Sequence, residues 1–139
     1  MQKKERQDLI VEIISAEPIP RQAVLVRKLT EHGLNVTQAS VSRDLEELGI
    51  VKNDGVYVLP AISAAAREFG LRSLEPAGDN LLVGKCDSGL ASAITVRIDA
   101  AGIDSIIGTI AGDDTIFIAT GDRARQTAAI TRISQLFTV

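Results

Sequence analysis

Two aspartates stand side by side in the stretch GTIAGDDTIFIA, Gly108 to Ala119, between two apolar, β-branched runs. Each ionised carboxylate raises the cost of ionising its neighbour, so a cation placed against the pair relieves their repulsion. Gly112, just before Asp113 and Asp114, leaves room for the backbone to approach a ligand closely. Gly-Asp-Asp is also ordinary turn chemistry. The residues by themselves therefore allow a cation pocket or a solvated turn.

A second cluster lies in TQASVSRDLEEL, residues 37–48. At helical spacing Val41, Leu45 and Leu48 share one face, while Ala39, Ser42 and Arg43 fall opposite, flanked by Gln38 and Ser40. That small, polar face suits a helix entering the major groove of duplex DNA. Arg43 can pair bidentately with a guanine edge, Gln38 with an adenine, and Ser40 and Ser42 with phosphates or bases. Lys52, together with Lys3, Lys4 and Arg6, can supply backbone contacts. Glu46 and Glu47 face a phosphate wall badly, so only the first two turns should enter. Glu47, four residues after Arg43, can pair with it when DNA is absent. A surface helix with ordinary polar residues, serving protein contacts, shows the same pattern.

The elements that must position these residues follow from periodicity. Leu9, Ile10, Ile13 and Ile14 predict a helix over 3–16, stopped before Pro18 and Pro20. Val24, Leu25 and Leu29 predict a second over 21–32, ended by Gly33. Thr37 can cap the third, and Gly49 ends it. IVKNDGVYVLP then holds two short β-rich runs around Asn53-Asp54-Gly55, a strong hairpin signal. Three short helices and a hairpin are the layout of a winged helix-turn-helix. Residues 61–70 are Ala-rich and read as a linker or short helix. Beyond them, strand-like and helical runs alternate as β-β-α-β-β-α, with Asp122 placed to cap the closing helix. That order predicts a four-stranded antiparallel sheet with two helices on one face. The fold class is thus α+β, with a DNA-binding domain over 1–60, a linker over 61–70 and a second domain over 71–139. The open sheet face needs a cover, which a partner subunit can supply.

Totals narrow the function classes. The 139-residue chain has 45% hydrophobic residues, enough for packed cores, but only three Phe, one Tyr and no Trp. Platforms for stacking single-stranded bases are therefore not expected. Net charge is −3, and residues 1–60 carry eight Lys/Arg against nine Asp/Glu, so any DNA contact must come from local clustering. The single Cys86 excludes an intrachain disulfide, and with the single His32 far away it argues against a Cys/His nucleophilic site. No metal site is expected, no apolar run reaches bilayer length, and the N-terminus reads as an amphipathic helix rather than a signal peptide. The expectation is a cytoplasmic protein with no membrane partner.

TQASVSRDLEELGIVK resembles the recognition-helix segment of the bacterial arginine repressor family, and GTIAGDDT resembles that family's effector motif. Both occur in the family's order, and the likeness spans essentially the whole chain. The resemblance implies a regulator without enzymatic activity or cofactor. Its implied partners are double-stranded operator DNA and L-arginine, in a homo-hexamer built as a dimer of trimers. It implies that Asp113 and Asp114 hold the guanidinium of L-arginine where trimers meet. It implies further that Asp99 meets the α-ammonium, and that Ala111 contributes a backbone group. The family commonly shows Pro-Gly-x-Ala-Gln at the start of the preceding helix, whereas this chain reads Ser88-Gly89-Leu90-Ala91-Ser92. Ser92 thus stands where an amide usually contacts the ligand, and its shorter hydroxyl can act through water or change affinity and preference. Asp87 adds a negative charge that can partly compensate. Two other classes remain: an enzyme using Asp99, Asp113 and Asp114 for Mg²⁺-dependent or acid/base chemistry, and an oligomeric module that binds no DNA or another effector.

Overall fold

Prolines and glycines punctuate the first sixty residues as their chemistry demands. In the computed structural model, which describes residues 2–137, they separate α1 (Gln2–Ala16), α2 (Gln22–Glu31) and α3 (Gln38–Leu48). Ile10, Ile14, Ile19, Leu25, Leu29, Val41, Leu45, Leu48 and Ile50 form the buried interior of this unit, Met1–Pro60. Full burial of one such side chain stabilises by about 1.5–3 kcal/mol. Thr37 caps α3 by accepting from the Ser40 N–H, while the Ser40 hydroxyl accepts from the Thr37 N–H. Gly49 closes the helix in the left-handed region, φ 72°, where a side chain would be strained. A hairpin follows, β1 (Val51–Asn53) against β2 (Val56–Val58). Asp54 and Gly55 both take positive φ, 52° and 83°, as a tight two-residue turn matching strand twist requires. The Tyr57 N–H donates to the Ile19 carbonyl at 3.0 Å, so the wing is tied to the loop after α1.

The second unit, Ala61–Val139, opens with the short helix that the Ala-rich run allows as well as a linker: α4 (Ala64–Phe69). Alanine is the strongest helix former, and the Ser63 hydroxyl caps the segment by accepting from the Ala66 N–H at 3.1 Å. Ala66 is fully buried in this unit's core. Gly70 ends the helix at φ 121°, and added bulk there would collide with Leu90. Four strands follow, β3 (Leu71–Pro76), β4 (Leu81–Cys86), β5 (Ile106–Ala111) and β6 (Thr115–Thr120), all antiparallel to their neighbours in the order β3-β4-β6-β5. Helices α5 (Ala91–Ala100) and α6 (Arg123–Gln135) bury Ile94, Ile98, Ala129 and Ile133 with Leu82, Ile116 and Ile118 of the sheet. Asp122 caps α6, accepting from the Arg125 N–H at 2.8 Å. The other sheet face carries Leu81, Val83, Phe117, Ala119 and Ile110, cross-strand neighbours by register. Ile110 is 73% exposed, Phe117 49%, and Ile107 in the adjacent irregularity of β5 76%.

Candidate DNA-reading helix and effector turn

Burial along α3 follows the expected wheel with one exception. Val41, Leu45 and Leu48 are buried, and Gln38, Ala39, Ser42, Arg43, Glu46 and Glu47 are exposed. Ser40 is half-buried, and its hydroxyl also donates to the Thr37 carbonyl at 2.9 Å, so it serves the cap. Gln38, Ser42 and Arg43 thus form the open part of the polar face. Lys52 is exposed on β1, its ammonium 5.7 Å from the centre of the Tyr57 ring across the hairpin.

The exception is Asp44, 1% exposed on the face that otherwise packs inward. Its carboxylate takes a two-pronged contact from Arg6 of α1, Nε to Oδ2 and Nη2 to Oδ1 at 3.0 Å. Gln7 donates to Asp44 Oδ1 at 3.0 Å and to Glu47 Oε2 at 2.8 Å. Lys3 pairs with Glu47 at 3.1 Å. These bonds raise the Arg6 guanidinium above its ordinary value, chiefly through the hydrogen bond to Asp44. They hold the Glu47 carboxyl below its ordinary range, chiefly through Gln7 and then Lys3. Two expectations change. Arg6 is committed to Asp44 rather than left open for phosphates, Lys3 makes an exposed surface pair with Glu47, and Glu47 bonds α1 rather than Arg43. An Arg43 partner four residues away on one helix is a weak pairing, whereas Glu47 meets two donors across the helix interface.

In the second unit the acidic pair occupies the tight turn between β5 and β6, and its backbone is pinned. The Asp113 carbonyl accepts from Gly89 N–H at 3.1 Å and Ala91 N–H at 3.4 Å, satisfying donors at the start of α5. The Asp114 carbonyl accepts from Cys86 N–H at 2.9 Å, and Gly112 N–H donates to Thr115 O at 2.7 Å. Both carboxylates stay exposed. Asp114 Oδ1 accepts from the Thr115 hydroxyl at 2.9 Å, which itself accepts from Lys85 at 2.9 Å. The Asp113 carboxylate has no hydrogen-bond donor among the described residues.

Ser92 lies exposed one residue after Ala91, so the docking of α5 onto the turn brings it near Asp113. Ala111 ends β5, half-buried against the core. Asp99 is elsewhere. It sits near the other end of α5, about 10 Å along the axis from Ser92 at the usual helical rise. There it accepts from the Thr109 hydroxyl at 2.9 Å and borders a cleft with Ile103, Ile106 and Gly108. One chain therefore assembles Asp113, Asp114, Ala111 and Ser92, and leaves Asp99 apart. Asp87 does not reinforce the turn either: Arg72 clamps it with two 2.8 Å bonds, which hold its carboxyl below the ordinary range. Cys86 is buried, and desolvation first, then the charges of Asp114, Asp87 and Asp113, pushes its thiol up.

A winged helix with a small, polar, exposed face on its third helix, followed by a sheet-and-helix unit with an acidic turn, defines a class: a winged-helix regulator with an appended α+β unit. Comparison with known proteins sharpens that class. A family model described as the arginine repressor DNA-binding domain matches residues 1–64, and one described as the arginine repressor C-terminal domain matches 72–135. Curated relatives agree. The arginine repressor of Caldicellulosiruptor saccharolyticus is 38% identical, with 96% of each chain covered. That of Acidobacterium capsulatum is 35% identical, covering 98% of this chain and 99% of its own. That of Thermus thermophilus is 43% identical, covering 84% of this chain and 79% of its own. The chain belongs to the arginine repressor family, and so is a DNA-binding regulator of arginine metabolism rather than an enzyme. No described helix is long and apolar enough to cross a membrane.

Proposed function

We propose that L-arginine is the effector of this regulator and that Asp113 and Asp114 hold its guanidinium, with Ser92 and the Ala111 backbone beside them. One observation carries the reading: the turn's carbonyls are spent on β4 and α5 while its two carboxylates remain exposed, with no cation among the described residues bonded directly to either. A charge-assisted bond to such a carboxylate contributes about 1.5–3 kcal/mol. Asp99 is too far from the turn to complete the same pocket in one chain, which supports a site finished by a second copy. The uncovered apolar face of Ile107, Ile110 and Phe117 supports the assembly itself, read as trimers that pair into a hexamer with ligand where trimers meet. The protein acts in the cytoplasm on double-stranded operator DNA. Gln38, Ser42 and Arg43 read bases, Lys52 touches backbone, and Ser40 contributes by fixing the start of α3. Ligand shifts the protein toward its DNA-presenting arrangement only to the extent that it binds that arrangement better.

Calorimetry with L-arginine against citrulline, its uncharged near-isostere, tests the effector site. Heat from arginine and none from citrulline is expected, and Asp113→Asn should abolish the heat without changing the ligand-free sedimentation coefficient. Equal heat from both ligands, or none from either, would move the effector to another molecule and make Ser92 the first residue to vary.

A further inference from the structure

We propose that Arg6 and Gln7 of α1 are positioning residues for the reader helix, holding α3 through Asp44 and Glu47 at the angle and depth that Ser42 and Arg43 need. The inference rests on the reading of α3 as the helix that enters the groove. The aliphatic side chains that α1 and α3 contribute to the interior of this unit pack without directional preference and tolerate rotation or sliding. A guanidinium fork on a carboxylate has a fixed plane and two fixed distances. Here that fork grips a carboxylate buried to 1% exposure in an otherwise apolar face, immediately after Arg43. A buried ion pair is a poor source of net stability compared with apolar side chains of similar volume, and setting register is its best attested use.

A single grip would leave α3 free to pivot. Gln7 removes that freedom, because its one amide donates to Asp44 and to Glu47, which stand on successive turns of α3. Lys3 adds a second contact to Glu47. Lys3, Arg6 and Gln7 are themselves at i, i+3 and i+4, so one face of α1 holds two points of α3 and thereby defines the direction of its axis. The same contacts neutralise two acids on a helix that approaches phosphates. α1 thus acts on DNA recognition without touching a base.

The test uses the full chain, a duplex that the wild-type protein selects from a randomised pool, and a shuffled duplex of the same length. Arg6→Met combined with Asp44→Leu replaces the pair by apolar side chains of similar volume. The expected result is a melting midpoint at or above wild type, selected-duplex affinity reduced about tenfold or more, and shuffled-duplex affinity within about twofold. Unchanged selected-duplex affinity in this folded variant would overturn the proposal. Should the double variant fail to fold, Gln7→Leu gives the same readout: an unchanged midpoint with a several-fold lower ratio of selected to shuffled affinity supports the proposal, and an unchanged ratio refutes it. Arg43→Ala separates the layers. Retained affinity there removes the reader assignment and the positioning role with it. Lost affinity there, with wild-type ratios in the α1 variants, removes the positioning role alone.

Discussion

Residues 2–60 and residues 61–137 treat apolar surface in opposite ways and charge only partly so, since the second unit also buries one carboxylate, Asp122, against Arg125. The winged helix buries a carboxylate, Asp44, and compensates it within the same chain through Arg6 and Gln7. Its large apolar side chains are mostly inside, and Val51 on the wing is the exposed one. The sheet unit keeps Asp99, Asp113 and Asp114 at the surface, and leaves Ile107, Ile110 and Phe117 in water on an uncovered face. The first unit is complete in one copy. The second has a finished aliphatic core on one side of its sheet and an uncovered apolar surface on the other. In the proposed assembly that uncovered surface is where copies meet.

The largest effect should come from attacking that open face. Ile110→Lys places a charge where apolar area of about 1.5–3 kcal/mol per large side chain would otherwise be buried in each copy. Sedimentation should then show single chains with an unaltered far-UV spectrum, and a wild-type assembly would locate the interface elsewhere. Next in size, Arg43→Ala should weaken binding to a selected duplex by about 1–3 kcal/mol, measured by fluorescence anisotropy, without altering assembly. The contrast between the two variants sharpens the division of labour: one loses partners of its own kind, the other loses DNA.

Smaller effects probe how each unit holds its shape. Thr37→Ala removes the cap of α3 and should cost about 1 kcal/mol, lowering the midpoint of the winged helix by about 4–8 °C in calorimetric scans. An unmoved midpoint would mean that the Ser40 N–H gains nothing from Thr37 Oγ1 over solvent. Smallest is the exposed Arg72–Asp87 clamp. Asp87 is held below its ordinary range by Arg72, so its contribution is present above the unfolded carboxyl value of about 3.9 and fades as pH falls through the folded value. Asp87→Asn should therefore be slightly less stable than wild type in urea near pH 7, and the difference should vanish as pH falls through the lowered value of the folded carboxyl. Salt should shrink the difference, because both side chains are half in water.

Much of this was legible from the residues. Helix stops at Pro18 and Gly49, the Thr37 and Asp122 caps, the Asn53-Asp54-Gly55 turn and the β-β-α-β-β-α order all depend on neighbours within a few positions. Asp44 was hidden for the opposite reason. Its place on the inner face of α3 is implied by its spacing from Val41 and Leu48, yet nothing nearby names its partner, which stands 38 residues earlier. Residues 61–70 left two readings open because an Ala-rich run suits a linker or a helix, and only the core that Ala66 enters decides between them.

Apart from α4, the sequence by itself determined the elements, their ends, the exposed polar face of α3 and the acidic turn, because spacing, capping and turn chemistry act locally. Only the tertiary structure decided which charges are occupied. It gave Arg6 and Lys3 to α3, Glu47 to α1 and Asp87 to Arg72, and it set Asp99 apart from Asp113 and Asp114. Charge pairing is governed by distances of a few ångströms between elements far apart in the chain, and periodicity along one element carries no measure of those distances.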